Sequence, residues 1–467
     1  MAEVFLVNPL ATINRQHVHF LRDWCGGELP GSVVYPPLDL AYVAALLQQN
    51  NISVSLIDAN ASHMPHKTIV EMIVKQRPKF VGIPSAWGSI KDDLLLAKMI
   101  KERNPAVKII ISGPNVTVDP AIALDSGCVD YVILGELEKP FLEIIKGRVI
   151  RNVAYKINNE VVVTDRDLLE DLDSLPFPAR DLLPNKRYQA PFTARNPFTL
   201  MNTSRGCPYK CNFCQVNIWY MNKVRFRSVA NVLGEIDEIA RRSRIKEIIF
   251  RDQTLTINRQ RLLLICRGLV EGKYNLSWRC FSCVDTIDSE LLNAMKEAGC
   301  HQICYGLESG SQKVLDLSGK GITLEQIKNA VKLTKKAGIE VSGAFMFGMY
   351  GDTKETIEDT LKLALSLDLD FAQFQLAFPV PSTEFYTQRN KINSCSNILP
   401  DSLRWYGWDQ PDDTGKILQN KLKEAYKRFY LRRKYLYRQL KSLKNPKRFA
   451  FQVGTALDFL GVLAKRG

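Results

Sequence analysis

The chain predicts an α/β protein: an N-terminal doubly wound parallel sheet, a linker, a partial TIM-like barrel of six β/α units, and a helical basic C-terminal segment. Three observations carry that prediction. Short apolar runs alternate with amphipathic stretches over residues 1–147 and again over 197–385, the pattern of parallel strands joined by crossover helices. A Pro-rich stretch, Leu175-Pro176-Phe177-Pro178, breaks the alternation within 148–196 and reads as an inter-domain linker. Positive charge gathers in the last part, 386–467.

In the first module strands are expected at 4–7, 54–57, 80–83, 108–112 and 131–134, with helices at 38–49, 69–76 and 91–103. Each strand ends in small or turn residues: Asn8-Pro9, Asp58-Ala59-Asn60, Pro84-Ser85-Ala86, Ser112-Gly113-Pro114 and Gly135-Glu136. Ligands of an open parallel sheet bind at the carboxyl ends of its strands, so these loops are expected to line one crevice. In the second module strands are expected at 198–201, 246–251, 276–284, 302–307, 340–347 and 371–378. Val229, Val232, Leu233, Ile236 and Ile239 recur at helical spacing between the first two. Barrel chemistry belongs at the carboxyl end as well.

A length of 467 residues suits two to three domains, and 46% hydrophobic with 24% charged residues is ordinary for a soluble protein. The start, Met1-Ala2-Glu3-Val4-Phe5, reads as a first strand and lacks the basic and apolar regions of a signal peptide. Eleven cysteines in such a chain suggest reduced thiols, and a cytoplasmic location is expected.

Chemistry concentrates in Ser204-Arg205-Gly206-Cys207-Pro208-Tyr209-Lys210-Cys211-Asn212-Phe213-Cys214, a C-x3-C-x2-C array just after the first barrel strand. A [4Fe–4S] cluster ordinarily takes four cysteines, so three leave one iron open to a ligand that is not protein. The alternative is a structural zinc knuckle, which needs a fourth nearby Cys or His, and none follows until Cys266. The array, with Phe213 before its last cysteine, resembles the radical S-adenosylmethionine (SAM) superfamily. That resemblance implies that SAM chelates the open iron through its methionine group. It also implies that an electron from the cluster yields a 5′-deoxyadenosyl radical able to abstract hydrogen from an unactivated carbon, and that a flavodoxin or ferredoxin supplies the electron.

A parallel sheet ahead of such a barrel resembles the cobalamin-binding class of that superfamily, which implies a Rossmann-like domain of the cobalamin-binding type. The matching stretches hold Ser85, Gly113, Gly135 and Glu136, expected to admit the nucleotide tail of the corrin at the barrel mouth. The D-x-H-x-x-G sequence that supplies a lower axial histidine is absent, and His17, His19, His63 and His66 lie in no such context. A domain of this type without a ligand is the other reading. In the barrel, Gly306-Leu307-Glu308-Ser309-Gly310 resembles the family's G-x-E-S-G, implying that Glu308 and Ser309 contact SAM. The strand holding Gly343 is expected beside the adenine. Asp252, Cys280 and Cys283 are expected to face the cavity, Cys283 standing where many relatives carry arginine.

Between Lys421 and Arg448 stand twelve Lys or Arg against one acid, eleven of the net +14 charges. Leu422, Ala425, Tyr426, Phe429, Tyr430 and Leu436 recur there at helical spacing. Three readings follow: the helix lies on an anionic membrane, it meets RNA through basic and aromatic residues, or its apolar stripe packs on the barrel.

Together these features describe a cobalamin-dependent radical SAM enzyme that functionalises an unactivated carbon. The expected reaction is C-methylation of a lipid-like or secondary-metabolite substrate, with possible membrane contact through residues 421–448. Oxidation or ring formation, as in the magnesium-protoporphyrin cyclase branch, is the alternative within the class, and the hopanoid-modifying branch is similar in layout. An RNA methylthiotransferase is the alternative outside it, but that class carries three further N-terminal cysteines, whereas Cys25 and Cys128 stand alone, and a nucleic-acid partner is not expected.

Overall fold

The computed structural model describes residues 2–13, 16–20, 28–29, 33–242, 244–392 and 414–441. They form two compact units. One runs to Ala190 and takes in Gln215–Arg225, and the other comprises Pro191–Cys214 and the described chain from Phe226 onward.

The first unit is built on strands β1 (Val4–Asn8), β2 (Val54–Asp58), β3 (Phe80–Pro84), β4 (Lys108–Ser112) and β5 (Tyr131–Ile133), all parallel. Their order is β2-β1-β3-β4-β5, so the chain reverses its direction of travel across the sheet between β1 and β3. That reversal defines the crevice of a doubly wound sheet. The helix expected at 38–49 is observed as Leu38–Gln49.

The stretch read as linker holds more structure than its composition suggested. It contributes β6 (Val153–Ile157) and β7 (Glu160–Val163), an antiparallel hairpin that extends the sheet beyond β5. Asn158 and Asn159 make its two-residue turn with φ of +49° and +67°, the positive values that a type I′ turn demands. Further along, Tyr188 is buried and its hydroxyl donates to Asp58 Oδ2 at 2.8 Å. Asp58 Oδ1 also accepts from Asn8 at 3.0 Å. The ends of β1 and β2, expected to line the crevice, are therefore sealed beneath this former linker.

The second unit is a six-stranded parallel sheet in sequential order: β8 (Phe198–Met201), β9 (Glu247–Phe250), β10 (Ser277–Ser282), β11 (Cys300–Glu308), β12 (Glu340–Phe347) and β13 (Phe371–Leu376). Its alternate residues pack outward into a helix-covered core containing Ile248, Phe250, Trp278, Ile303, Tyr305 and Val341. At the amino end, buried Glu247 plugs the floor. Its carboxylate accepts from the Ala194 and Arg195 amides at 2.6 and 2.7 Å and lies 3.0 Å from His301 Nε2.

The edge strand β13 is covered by the helix Thr414–Tyr430. Leu418, Leu422, Ala425 and Phe429 are buried in the barrel's core, the third of the readings expected for this stripe. Tyr430 donates to the Ala372 carbonyl at 2.7 Å and accepts from its amide at 3.2 Å. Tyr426, one turn earlier, does the same for Phe374 at 2.8 and 3.0 Å. Leu431, Leu436 and Tyr437 face outward, and residues 442–467, including the rest of the basic segment, lie outside the described residues.

Candidate active site

The cysteine loop leaves β8 at its carboxyl end and is held there by three charged side chains. Asp252, fully buried just past β9, accepts from the Thr203 amide at 3.0 Å, from Thr203 Oγ1 at 2.7 Å and from Ser204 Oγ. Arg261 donates to the Thr203 carbonyl at 2.8 Å and Arg227 to the Asn202 carbonyl at 2.8 Å, with Glu235 as counter-charge for Arg227. Asp252 was expected to face the cavity; its carboxylate is taken up with fixing residues 203 and 204. The loop then turns at Gly206, whose φ of +92° favours glycine and whose amide donates to Gln253 Oε1 at 3.1 Å.

Further along, Tyr209 donates to the Asp285 carboxylate at 2.7 Å. Asn212 donates to the Ser318 carbonyl through its amide and to the Leu317 carbonyl through its side chain, both at 2.9 Å. Phe213 packs with Val314, Met346, Met349 and Phe385, an apolar patch beside the loop rather than a polar contact. Cys207, Cys211 and Cys214 are each part-exposed and lie close enough for Cys211 to feel both other sulfurs. Burial pushes the Cys211 thiol up to about 12; Lys320 opposes that rise, while Cys214, Glu308 and Cys207 add to it.

Lys320 was not singled out from the sequence. Its ammonium, 13% exposed, donates to Glu308 Oε1 at 2.9 Å. Burial alone would lower its pKa, but Glu308 and the Cys211 and Cys283 sulfurs outweigh burial and hold it above the ordinary value. Glu308 closes β11 with φ +61°, a left-handed conformation uncommon for a non-glycine residue. A Cβ on Gly306 would sit 2.4 Å from Glu308 Oε1 and 2.8 Å from Lys320 Nζ, so both charged heads lean over that glycine.

Other expected contacts fall elsewhere. The Ser309 hydroxyl is engaged with Thr360 Oγ1 at 3.2 Å and the Ser311 amide at 3.2 Å. Gly343 makes room on the helix side, where a Cβ would meet Leu307 at 2.9 Å and Leu369 at 3.0 Å. Cys280 also faces the helices, packed in the core with Cys266 and Cys300, because a strand's side chains alternate and Arg279 takes the interior. Cys304, unremarked in the sequence, shares the interior face with Gln302. Cys283 remains in the site's wall, buried and pushed up to about 11 by that burial, with Lys320 opposing.

In the sheet unit, Ser85 and Gly113 lie together. The Ser85 amide donates to the Ser112 carbonyl at 2.7 Å, Asn115 donates to Ser85 Oγ at 3.1 Å, and a Cβ on Gly113 would stand 2.0 Å from the Ser85 carbonyl oxygen. Only glycine lets these two loops meet. Gly135 and Glu136 are differently placed. Arg166 Nη2 occupies the space beside Gly135, and Glu136 is locked to Arg225 by two hydrogen bonds of 2.8 and 3.0 Å with both side chains 5% exposed. Through these contacts Glu136 and Arg166 also hold Gln215–Arg225, the stretch that follows Cys214, Arg166 by donating to the Ile218 and Trp219 carbonyls at 3.0 and 3.1 Å.

The donor set fits a cluster. Each thiol can serve a separate iron, whereas among the described residues no three His, Cys, Asp or Glu side chains converge as one ion requires. Small residues at the carboxyl ends of β3 and β4 likewise fit close approach by a nucleotide-like tail. A doubly wound sheet carrying this crevice, joined to a partial barrel with three cysteines at its carboxyl end, defines the class: an enzyme that pairs a corrinoid domain with an iron–sulfur barrel.

Comparison with known proteins agrees. Residues 32–145 match the B12 binding domain and residues 201–364 the radical SAM superfamily. The chain is 34% identical over 421 residues, 87% of its length and 90% of the relative's, to an uncharacterized methyltransferase of Pyrococcus horikoshii. It is 26% identical to the anaerobic magnesium-protoporphyrin IX monomethyl ester cyclase of Rubrivivax gelatinosus, over 93% of this chain and 80% of that one. The fold is that of the radical SAM methyltransferase TsrM from Kitasatospora setae, solved with cobalamin and a [4Fe-4S] cluster, with a TM-score of 0.65 at 17% identity over 86% of this chain and 76% of that one. The chain belongs to the cobalamin-binding radical SAM enzymes, whose cofactors are a [4Fe–4S] cluster, SAM and cobalamin.

Proposed function

We propose that this enzyme transfers a methyl group to an unactivated carbon of a small organic substrate. The observation that carries the reading is the pairing, in one chain, of a three-cysteine loop with an open iron position and a Ser85–Gly113 crevice suited to a corrinoid. When bound, the cluster and SAM supply the radical that removes hydrogen from carbon, and cobalamin supplies the methyl group.

The chain's own residues have separable tasks. Cys207, Cys211 and Cys214 hold the cluster; Asp252, Arg261 and Arg227 fix the loop that presents them; Glu308 accepts from the ammonium or ribose hydroxyls of SAM; Phe213 and its apolar neighbours keep water from the loop's flank. Ser85 and Gly113 bring the backbone up to the corrin's tail. The reducing electron comes from a flavodoxin- or ferredoxin-type donor. Leu431, Leu436 and Tyr437, exposed beside Arg433, support contact with an anionic bilayer and a lipid-like substrate.

The test is anaerobic reconstitution with iron, sulfide and hydroxocobalamin, followed by SAM and a reductant. Formation of both 5′-deoxyadenosine and S-adenosylhomocysteine is expected. Deoxyadenosine alone would favour the oxidative reaction named for the cyclase relative, and a protein that retains no corrinoid would overturn the assignment of the crevice. Cosedimentation with anionic liposomes, lost in a Lys427→Glu/Arg433→Glu variant, checks the membrane contact; equal retention of the variant would refute it.

A further inference from the structure

A groove on the second unit lies outside everything the cluster and its cofactors require. One wall is the helix Leu324–Lys336, which contributes Lys328, Lys332 and Lys335; the other is the end of the helix Lys354–Ser366 and the turn after it, with Ser366 and Asp368. The space between them is about 370 Å³, within the range of small-ligand pockets, roughly 300–1,000 Å³. The three lysines recur at i, i+4 and i+7 and so form one stripe of their helix. Lys335 is taken up by Asp370, donating to its two carboxylate oxygens at 2.8 and 2.7 Å, while Oδ2 of that carboxylate also accepts from the Val341 amide at 2.8 Å. Asp368 is paired with Lys434 at 3.0 Å. Lys328 and Lys332 have neither a hydrogen bond nor an ion pair among the described residues. Like charges one turn apart destabilise a helix, and an anion lying between them turns that repulsion into attraction.

Lys434 belongs to the helix Arg433–Lys441, so its contact with Asp368 lays that helix beside the groove. Leu431, Leu436 and Tyr437 are 62%, 46% and 59% exposed there, while Tyr435 is buried against Phe429. Free cations next to exposed apolar side chains are what an interfacial helix offers to anionic lipid. The groove's place in the barrel argues against an electron donor as its occupant. Asp370 and Val341 stand at the amino ends of β13 and β12, whereas the cysteine loop leaves β8 at its carboxyl end. The eight residues of β12, at about 3.3 Å each, put roughly 25 Å between the two ends. A reductase docked in the groove would face the wrong end of the barrel.

We propose that this groove takes the phosphate of an anionic phospholipid headgroup, bound by Lys328 and Lys332, while Leu431, Leu436 and Tyr437 enter the apolar layer around it. The amino end of the barrel thereby rests on the bilayer, and the end that bears the cysteine loop stays clear of it. The inference rests on the reading of the C-terminal helix as a bilayer contact, and it gives that contact a defined lipid group and a defined orientation. Charge-assisted hydrogen bonds from two ammoniums to phosphate oxygens supply the specificity, and the exposed apolar side chains supply burial.

The test is partition of the anaerobically reconstituted full chain onto phosphatidylcholine vesicles with and without phosphatidylglycerol, read by cosedimentation. Binding is expected to the vesicles that contain phosphatidylglycerol and not to the others. Lys328→Gln/Lys332→Gln should bind ~10- to 30-fold more weakly, the loss for two lysines at an anionic surface, and Lys328→Arg/Lys332→Arg should bind as the intact chain does. Both variants should form 5′-deoxyadenosine from SAM at the intact rate. Lys313→Gln/Lys354→Gln neutralises two exposed lysines on helices that follow the carboxyl ends of β11 and β12 and should keep full binding. A loss there equal to that of the groove variant would overturn the proposal in favour of general charge attraction. Undiminished binding of Lys328→Gln/Lys332→Gln, with binding lost in Lys427→Glu/Arg433→Glu, would refute the groove and spare the bilayer contact. Failure of the intact chain to bind phosphatidylglycerol vesicles would instead overturn the bilayer reading itself. Glycerol phosphate bound in solution as tightly as the lipid, by titration calorimetry, would make the groove a site for a soluble phosphate and refute the lipid. Lipid-free binding of a flavodoxin that is lost in Lys328→Gln/Lys332→Gln would likewise refute it and assign the groove to a protein.

Discussion

Replacing any one of Cys207, Cys211 or Cys214 with alanine removes one of the three thiolates of the array. Anaerobically reconstituted variants are expected to hold under about one iron where the intact chain takes about four, measured by iron assay and visible absorption; full iron retention would contradict the ligand assignment. Other thiols should behave in the opposite way. Burial pushes Cys266 up to about 12 and Cys304 up to about 11, so at pH 8 only about one in ten thousand and one in a thousand, respectively, would be thiolate. Neither should react with iodoacetamide in the native protein, and both should react after unfolding. The sign carries over to stability: these raised values favour the fold below the unfolded thiol's pKa near 9, and that contribution is lost as pH rises from about 9 toward 11 and 12. Much of this scale was legible. The cysteine array stood out by spacing and Glu308 by the resemblance of its stretch to a family motif, whereas Lys320 did not, because a lysine between two glycines is unremarkable until a strand end twelve residues earlier is folded back beside it.

Elements explain why the loop has a fixed shape at all. Asp252→Ala would leave three buried donors of residues 203 and 204 unpaired, at a cost of about 1–3 kcal/mol for each group stranded, and the cluster should be lost faster to a chelator in this variant than in the intact enzyme. Tyr426→Phe and Tyr430→Phe each remove a hydroxyl that both donates to and accepts from β13. Together they should lower stability by about 2–6 kcal/mol for the four hydrogen bonds lost, at roughly 0.5–1.5 kcal/mol per net hydrogen bond, read from denaturant unfolding. Strand positions were readable because parallel strands buried on both faces appear as short apolar runs, and 108–112, 198–201 and 340–347 are observed at their expected limits. The hairpin at β6 and β7 was not, since its signal is two asparagines in a segment dominated by acids and prolines. The outward direction of Gly343 and Cys280 depends on strand phase, which a one-residue shift inverts.

On the scale of the whole molecule, the division into two units gives ligands separate thermodynamic signatures. Hydroxocobalamin at a hundred times its dissociation constant should add about 2.7 kcal/mol to the unfolding free energy of the unit that binds it, visible in calorimetry as a shift of one transition; an unchanged scan would argue against the crevice. Glu136→Gln leaves Arg225 buried without its counter-charge, and breaking such a pair costs about 3–5 kcal/mol, a loss expected in that same transition. The pairing was not recognisable in sequence, because 89 positions separate its members: Glu136 stood out only as a crevice residue, and Arg225 reads alone as an ordinary surface charge.

The two phenols lying along β13 have a consequence for the protein as a population of molecules. A six-stranded parallel sheet that stops short of closing leaves a row of amides and carbonyls able to template a strand from another chain. Tyr426 and Tyr430 occupy the groups of Ala372 and Phe374 in the way a seventh strand would, yet they offer no backbone of their own for propagation. The basic segment thereby acts as a guard against self-assembly, and chains truncated before Thr414 are expected to form oligomers and fibrillar aggregates that light scattering would register and the full-length enzyme would not.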